Sequence, residues 1–206
     1  MPAELILIGG AAILANYGFR EVTYDIDATI LASSTMKDAI NRVGDKMGLP
    51  NGWLNADFQK TTSFSNKLPE VSVYYKTFSN ILTVRTVTAE YLIAMKLMSG
   101  RQYKSDLYDI AGILWEHQKS GTPISREAID KAIITLYGKN AVLPGASRKI
   151  IDDAFADGDY EGAYAKIREG EKQAKNASVD LDKTPSEKPK GENINAIIEQ
   201  AKQRKK

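Results

Sequence analysis

The chain has 206 residues, 43% of them hydrophobic, enough for one domain-sized core without covalent staples. It has no cysteine and one histidine, His117, which excludes disulfides, thiolate zinc sites, cysteine nucleophiles and His-rich metal sites. The net charge of +2 is too small to argue for nucleic-acid binding, and it is uneven: residues 171–206 hold nine Lys/Arg against six Asp/Glu.

Any metal must therefore be held mainly by carboxylates, which suits a hard ion such as Mg²⁺ or Mn²⁺. No apolar run approaches the roughly 20 residues of a membrane span. The start, Met1-Pro2-Ala3-Glu4, lacks the basic and apolar regions of a signal peptide. The expectation is a cytoplasmic protein with no membrane partner.

Leu5-Ile6-Leu7-Ile8 reads as a buried strand entering a tight turn at Gly9-Gly10. Ala11 to Tyr17 fits a short helix with Gly18 as its C-cap. From Val22 to Leu31 the residues alternate, with Val22, Tyr24, Ile26, Ala28 and Ile30 on one face and Thr23, Asp25, Asp27 and Thr29 on the other. That is the period of a strand, and it puts both aspartates on one side. Thr35-Met36-Lys37-Asp38 resembles a capping box opening a helix that Gly48 and Pro50 stop near Met47. Residues 51–68 have no clear period and read mostly as loop. Val71–Phe78 and Ile81–Val87 read as a hairpin turning at Ser79-Asn80.

From Thr88 the pattern becomes helical: Ala89–Ser99 ended by Gly100, then Asp106–His117, Ser125–Tyr137, Ala146–Phe155 and a further stretch from Tyr160 to about Lys175. Residues 176–193 read as a disordered linker, and Ile194–Lys206 as a short basic helix or tail. The expected class is α+β (mixed α/β). The expected organisation is an αβ core over 1–87, a helical region over 88–175 packed on it and completing the site, and a linker and tail over 176–206.

Two carboxylates at i and i+2 on one strand face sit close enough to share a divalent cation, an arrangement suited to phosphoryl or nucleotidyl transfer. Gly9 and Gly10, lacking side chains, let backbone N–H groups and the next helix N-terminus approach a phosphate. Lys96 stands in an otherwise apolar stretch, where a cation needs a partner or an anionic ligand. The bland alternatives are that Lys96 snorkels to solvent or pairs with Glu90 or Asp106; for Asp106, pairing with Lys96 is the preferred reading. Asp106 and Asp109 share a helix face, and either also suits capping of the helix start. His117 reads as a helix-end residue. Packing is favoured over base stacking for Tyr74, Tyr75, Tyr103 and Tyr108.

Ile8-Gly9-Gly10, an intervening helix and Asp25-Ile26-Asp27-Ala28 together resemble the signature of polymerase β-like nucleotidyltransferases. The likeness is nearest to minimal enzymes related to AbiEii-type toxins. Arg20-Glu21-Val22-Thr23-Tyr24-Asp25-Ile26-Asp27 is similar to their Arg-x-x-Thr-x-Asp-hydrophobic-Asp stretch. Lys96-Leu97, followed by Gly100-Arg101-Gln102-Tyr103-Lys104-Ser105-Asp106-Leu107-Tyr108-Asp109-Ile110, is similar to their Lys-Leu and Arg-x-x-Lys-Asp-x-x-Asp-Ile run.

This resemblance, over roughly residues 4–116, implies a nucleotidyltransferase fold with a small twisted mixed sheet. It also implies Asp25 and Asp27 as metal ligands for Mg²⁺ or Mn²⁺, and Gly9-Gly10 as the phosphate turn. Lys96 would lie near an NTP, Arg101 and Lys104 at the same cleft with Thr23, and Asp106 as a supporting acid. The implied reaction moves an NMP from an NTP to RNA (a tRNA end, for instance) or to a protein hydroxyl. The implied setting is a toxin with a cognate antitoxin, or phage defence. No third carboxylate is evident in the strands at 71–78 and 81–87, which makes a nucleotide-binding or partner-binding module without turnover the alternative.

Overall fold

The apolar run at the start of the chain forms the middle of a sheet: Ile6 and Ile8 are fully buried and Leu5 nearly so, as expected of a strand covered on both faces. The computed structural model describes residues 3–20, 22–23, 25–100 and 104–170, excluding the side chains of 104 and 105. Five strands, β1 (Ala3–Leu7), β2 (Ile26–Leu31), β3 (Leu54–Asn55), β4 (Ser72–Phe78) and β5 (Leu82–Val87), make one sheet in the order β3-β2-β1-β5-β4. It is mixed. β1 runs antiparallel to β2, with Leu5 opposite Ile30, and parallel to β5, with Leu5 opposite Val84. β3 pairs parallel to β2, and β4 antiparallel to β5.

The helices are α1 (Gly9–Asn16), α2 (Ser34–Met47), a single turn α3 (Leu68–Val71), α4 (Ala89–Ser99), α5 (Lys104–Lys119), α6 (Arg126–Tyr137) and α7 (Gly145–Asp157). Residues 160–170 are helical again. A one-turn 3₁₀ segment, Asp57–Lys60, precedes α3. The class is the expected α+β, with a mixed sheet compatible with a nucleotidyltransferase fold.

One helix unites sheet and helices. In α4, Ala89, Leu92, Ile93, Ala94, Met95 and Leu97 are all buried. A helix apolar on every side belongs inside a core. Its residues join Ile6, Ile8 and Ile13 of the first half to Ile113, Leu114 and Ile129 of α5 and α6 in a single cluster. Burying Leu or Ile side chains of this kind contributes roughly 1.5–3 kcal/mol each.

Three boundaries differ from the sequence pattern. β2 begins at Ile26, so Asp25 stands at the strand entry and not within it. The Thr23 hydroxyl donates to the Asp25 carbonyl (3.0 Å), turning residues 23–25 out of the extended line. The N-cap of α2 is Ser33, without a side-chain bond, and Thr35 lies inside the helix, so the capping box does not form. α1 ends at Asn16 with Tyr17 in an extended conformation, so Gly18 is not a left-handed C-cap. In compensation, the Asn16 amide donates to the Val87 carbonyl (3.1 Å) and to Thr86 Oγ1 (3.2 Å), tying α1 to the end of β5. The expected stops at Gly48 (φ +65) and Gly100 (φ +63) are left-handed caps, and Ser79-Asn80 turns the hairpin with φ of 50 and 54. The expected linker and tail over 176–206 lie outside the described residues.

Candidate active site

Six separate segments meet in one cleft of about 230 Å³. Gly9 and Gly10 line it at the start of α1, Arg20 and Thr23 from the following loop, and Asp25 and Asp27 from the head of β2. Phe58, Thr61 and Ser63 come from the segment before α3, Leu92, Met95, Lys96 and Ser99 from α4, and Asp106 and Asp109 from α5. Of the residues expected from sequence, Gly9, Gly10, Thr23, Asp25, Asp27, Lys96 and Asp106 are thus brought together. Arg101 lies outside the described residues, as does the side chain of Lys104, which opens α5.

The β1–α1 junction is shaped by close approach. The Ile8 N–H donates to the Asp27 carbonyl (3.1 Å), pinning the metal-candidate strand to the turn. Gly9 has φ +55, a conformation that favours glycine. A Cβ on Gly10 would sit 2.8 Å from both Arg20 Nη2 and Thr23 Oγ1, so only glycine admits the Arg20 guanidinium at this place. The N-cap residue, Ile8, has no side chain that could cap the helix, and the first turn of α1 borders the cleft. Thr23 packs on this turn and bends the chain into Asp25.

Opposite charges converge on α5. Lys96 Nζ is 2.7 Å from Asp106 Oδ1 and 2.7 Å from Asp109 Oδ2, and is 11% exposed, so it does not snorkel to solvent. Arg20 Nη1 is 2.5 Å from the same Asp109 oxygen. Asp109 is 0% exposed, and among the described residues its Oδ1 has no hydrogen-bond partner. This buried carboxylate, shared by two cations from distant segments, is the site residue that sequence reasoning left as a candidate cap. The signal for it was the Asp-x-x-Asp spacing, which puts it on the face of Asp106. Arg20 likewise carries no sequence signal beyond the Arg-x-x-Thr-x-Asp stretch. Its Nε donates to the Val22 carbonyl (3.2 Å), which orients the guanidinium over the Gly10 turn.

The carboxylates of Asp25, exposed, and Asp27, half-buried, complete the set. Two acids near these segments are paired elsewhere: Glu70 pairs with Lys67 and Asp57 with Lys60 on the surface. Among the described residues, no three Asp, Glu or His side chains are grouped to hold a metal. His117 is a clip, its Nε2 bonded to the Tyr17 hydroxyl (3.0 Å) and its Nδ1 facing the Thr122 carbonyl and hydroxyl. Burial, with Glu90 and Glu116 adding to it, pushes the Tyr17 phenol up to about 12. Tyr108 bonds the Phe19 carbonyl and Tyr164, a packing role.

A glycine turn, two acids at the head of the adjoining strand and two cations across one cleft are the elements of phosphate handling. Residues 1–116 match a family model described as nucleotidyltransferase of unknown function (DUF6036). The chain belongs to this nucleotidyltransferase family. The matched span runs from β1 into α5 and so contains every residue that lines the cleft. α6 and α7 lie beyond the family's match. No curated protein and no solved structure matches the chain. No helix among the described residues is long and apolar enough to cross a membrane.

Proposed function

We propose that the protein transfers an NMP unit from an NTP to a hydroxyl of RNA, such as a tRNA end, or of a protein. The observation that carries the reading is the shared cleft of Gly9, Gly10, Asp25, Asp27, Lys96 and Asp106. The donor set suits a hard divalent cation: two carboxylates with no nitrogen or sulfur ligand, which is how Mg²⁺ is held when substrate phosphates supply the remaining positions. Asp25 and Asp27 would hold it, and Mg²⁺ or Mn²⁺ there supplies neutralisation of the triphosphate and activation of the attacking oxygen.

The chain's own groups do the rest. First-turn N–H groups at Gly9-Gly10 bind phosphate oxygens. Lys96 and Arg20 present positive charge to the same oxygens, where charge builds on the leaving pyrophosphate. Asp106 and Asp109 hold those two cations in place. By resemblance to AbiEii-type toxins, the setting is a cytoplasmic toxin of a toxin–antitoxin or phage-defence system, with a cognate antitoxin as partner. Arg101 and Lys104 would add to the cleft.

The test is incubation with labelled NTPs, Mg²⁺ or Mn²⁺, and total RNA or protein. Transfer is expected from the native chain and abolished in Asp25→Ala/Asp27→Ala; transfer that persists in the double variant overturns the assignment. A second reading, a nucleotide-binding or partner-binding module without turnover, is favoured by the lack of a third acid grouped with Asp25 and Asp27 among the described residues. Calorimetric binding of NTP and Mg²⁺ without transfer to any acceptor would establish it instead.

A further inference from the structure

Two hydroxyls in the cleft have no part in the phosphate handling proposed above. Thr61 and Ser63 line it from the segment between the 3₁₀ turn and α3. Thr61 Oγ1 lies 2.6 Å from the Phe58 carbonyl oxygen. A carbonyl carries no proton, so the proton between them is that of Thr61. Thr61 Oγ1 also lies 2.8 Å from Ser63 Oγ. With the one Thr61 proton already donated, Ser63 must be the donor of this second bond. Both hydroxyl protons therefore point along the segment, and both oxygens offer the cleft only lone pairs.

Acceptor-only oxygens repel phosphate and attract N–H or O–H. Their surroundings fit the other half of a nucleotide as well. Phe58, Leu92 and Met95, largely buried, back the same cleft, and Phe64 braces the Phe58 ring edge-on at 5.5 Å. The segment is also held rigid. Tyr137 of α6 donates to the Ser63 carbonyl (2.7 Å), Ser65 donates to the Leu136 carbonyl (2.6 Å), and Thr62 donates to the Met98 carbonyl of α4 (3.3 Å). Acceptors fixed before a ligand arrives discriminate better than mobile ones.

We propose that the Thr61–Ser63 pair is the nucleoside-recognition element of the cleft, accepting a hydrogen bond from the nucleoside of the bound NTP. The donor is either the exocyclic amino group of adenine or cytosine or the ribose 2′-hydroxyl. The inference rests on the NTP-binding reading above. It adds that selectivity within the site comes from lone pairs on this segment.

Calorimetric titration in Mg²⁺ separates the outcomes. ATP is compared with ITP and CTP with UTP, pairs in which a carbonyl oxygen replaces the amino group, and CTP is compared with dCTP. At least one member carrying the donor is expected to bind about tenfold tighter than its counterpart. Ser63→Ala should erase that preference while leaving the affinity for inorganic triphosphate unchanged. If Ser63→Ala loses triphosphate binding too, Thr61→Val, which keeps the shape and removes the relay, decides by the same comparison. Equal affinities within all three pairs, or a preference that survives both substitutions, overturns the inference while triphosphate binding leaves the NTP reading standing. Failure of every nucleotide and of triphosphate to bind overturns both.

Discussion

Asp109 illustrates what a single residue owes to the tertiary structure. Its sequence neighbours offer nothing to neutralise it, and a fully buried carboxylate without a partner is too costly to remain charged. Arg20, 89 positions away, and Lys96 supply the partners, both on Oδ2. Each cation needs Asp109 in return: among the described residues, Arg20 has the Val22 carbonyl besides it, and Lys96 has Asp106. Removing one member of a buried charge cluster leaves the others unpaired. Asp109→Asn is therefore expected to destabilise the fold by about 3 kcal/mol, read as a lower urea midpoint at unchanged slope. A loss below about 1 kcal/mol, the range of exposed pairs, would show that Asp109 is not the anchor. The proximity of Asp25 and Asp27 was legible at this scale, since i, i+2 spacing alone brings two acids near each other. The geometry of the pair was not: Asp25 precedes the strand, because Thr23 turns the chain through a bond that periodicity does not encode.

Among the elements, those with strong local signals were legible. α4 was readable from its helix-forming composition and the glycine after it, and the β4–β5 hairpin from its β-branched runs and the Ser79-Asn80 turn. β3 was not, because two residues carry no period, and its existence depends on pairing with β2. The contact between α1 and α5 is of the same kind. It joins Tyr17 to His117 through their side chains, 100 positions apart. The Tyr17 phenol is raised to about 12 from 10.0, chiefly by burial, so above pH 10 the unfolded chain releases its proton before the folded one does. The stabilisation is whole below pH 10 and is lost as pH rises through 12. Tyr137, also raised by burial, acts in the same direction. Urea midpoints measured across this range should fall with pH, and the fall should be shallower in Tyr17→Phe. An equal fall in both chains would mean that the Tyr17 phenol is not the titrating group.

For the whole molecule, the sheet and the helices share one core through α4, and the cleft opens where they meet. A ligand that bridges Gly9-Gly10, Lys96 and the head of β2 therefore binds the folded chain alone. At 100 times its Kd, such a ligand stabilises by about 2.7 kcal/mol, or roughly 5–10 °C in Tm for a chain of this size. NTP with Mg²⁺ is expected to give this shift, and Asp25→Ala/Asp27→Ala to reduce it strongly; a shift of full size in the double variant would place the cation elsewhere. The sequence by itself determined the α+β class and the elements with strong local patterns, and its lack of cysteine leaves any metal to be held mainly by carboxylates. These follow from composition and from spacing within single elements, where side-chain periodicity reflects backbone geometry. Only the tertiary structure decided that Asp109 is the common anchor, that Arg20 enters over Gly10, and that Thr61 and Ser63 line the cleft. Each of these depends on segments tens of residues apart meeting in space, and such meetings are set by how the shared core packs.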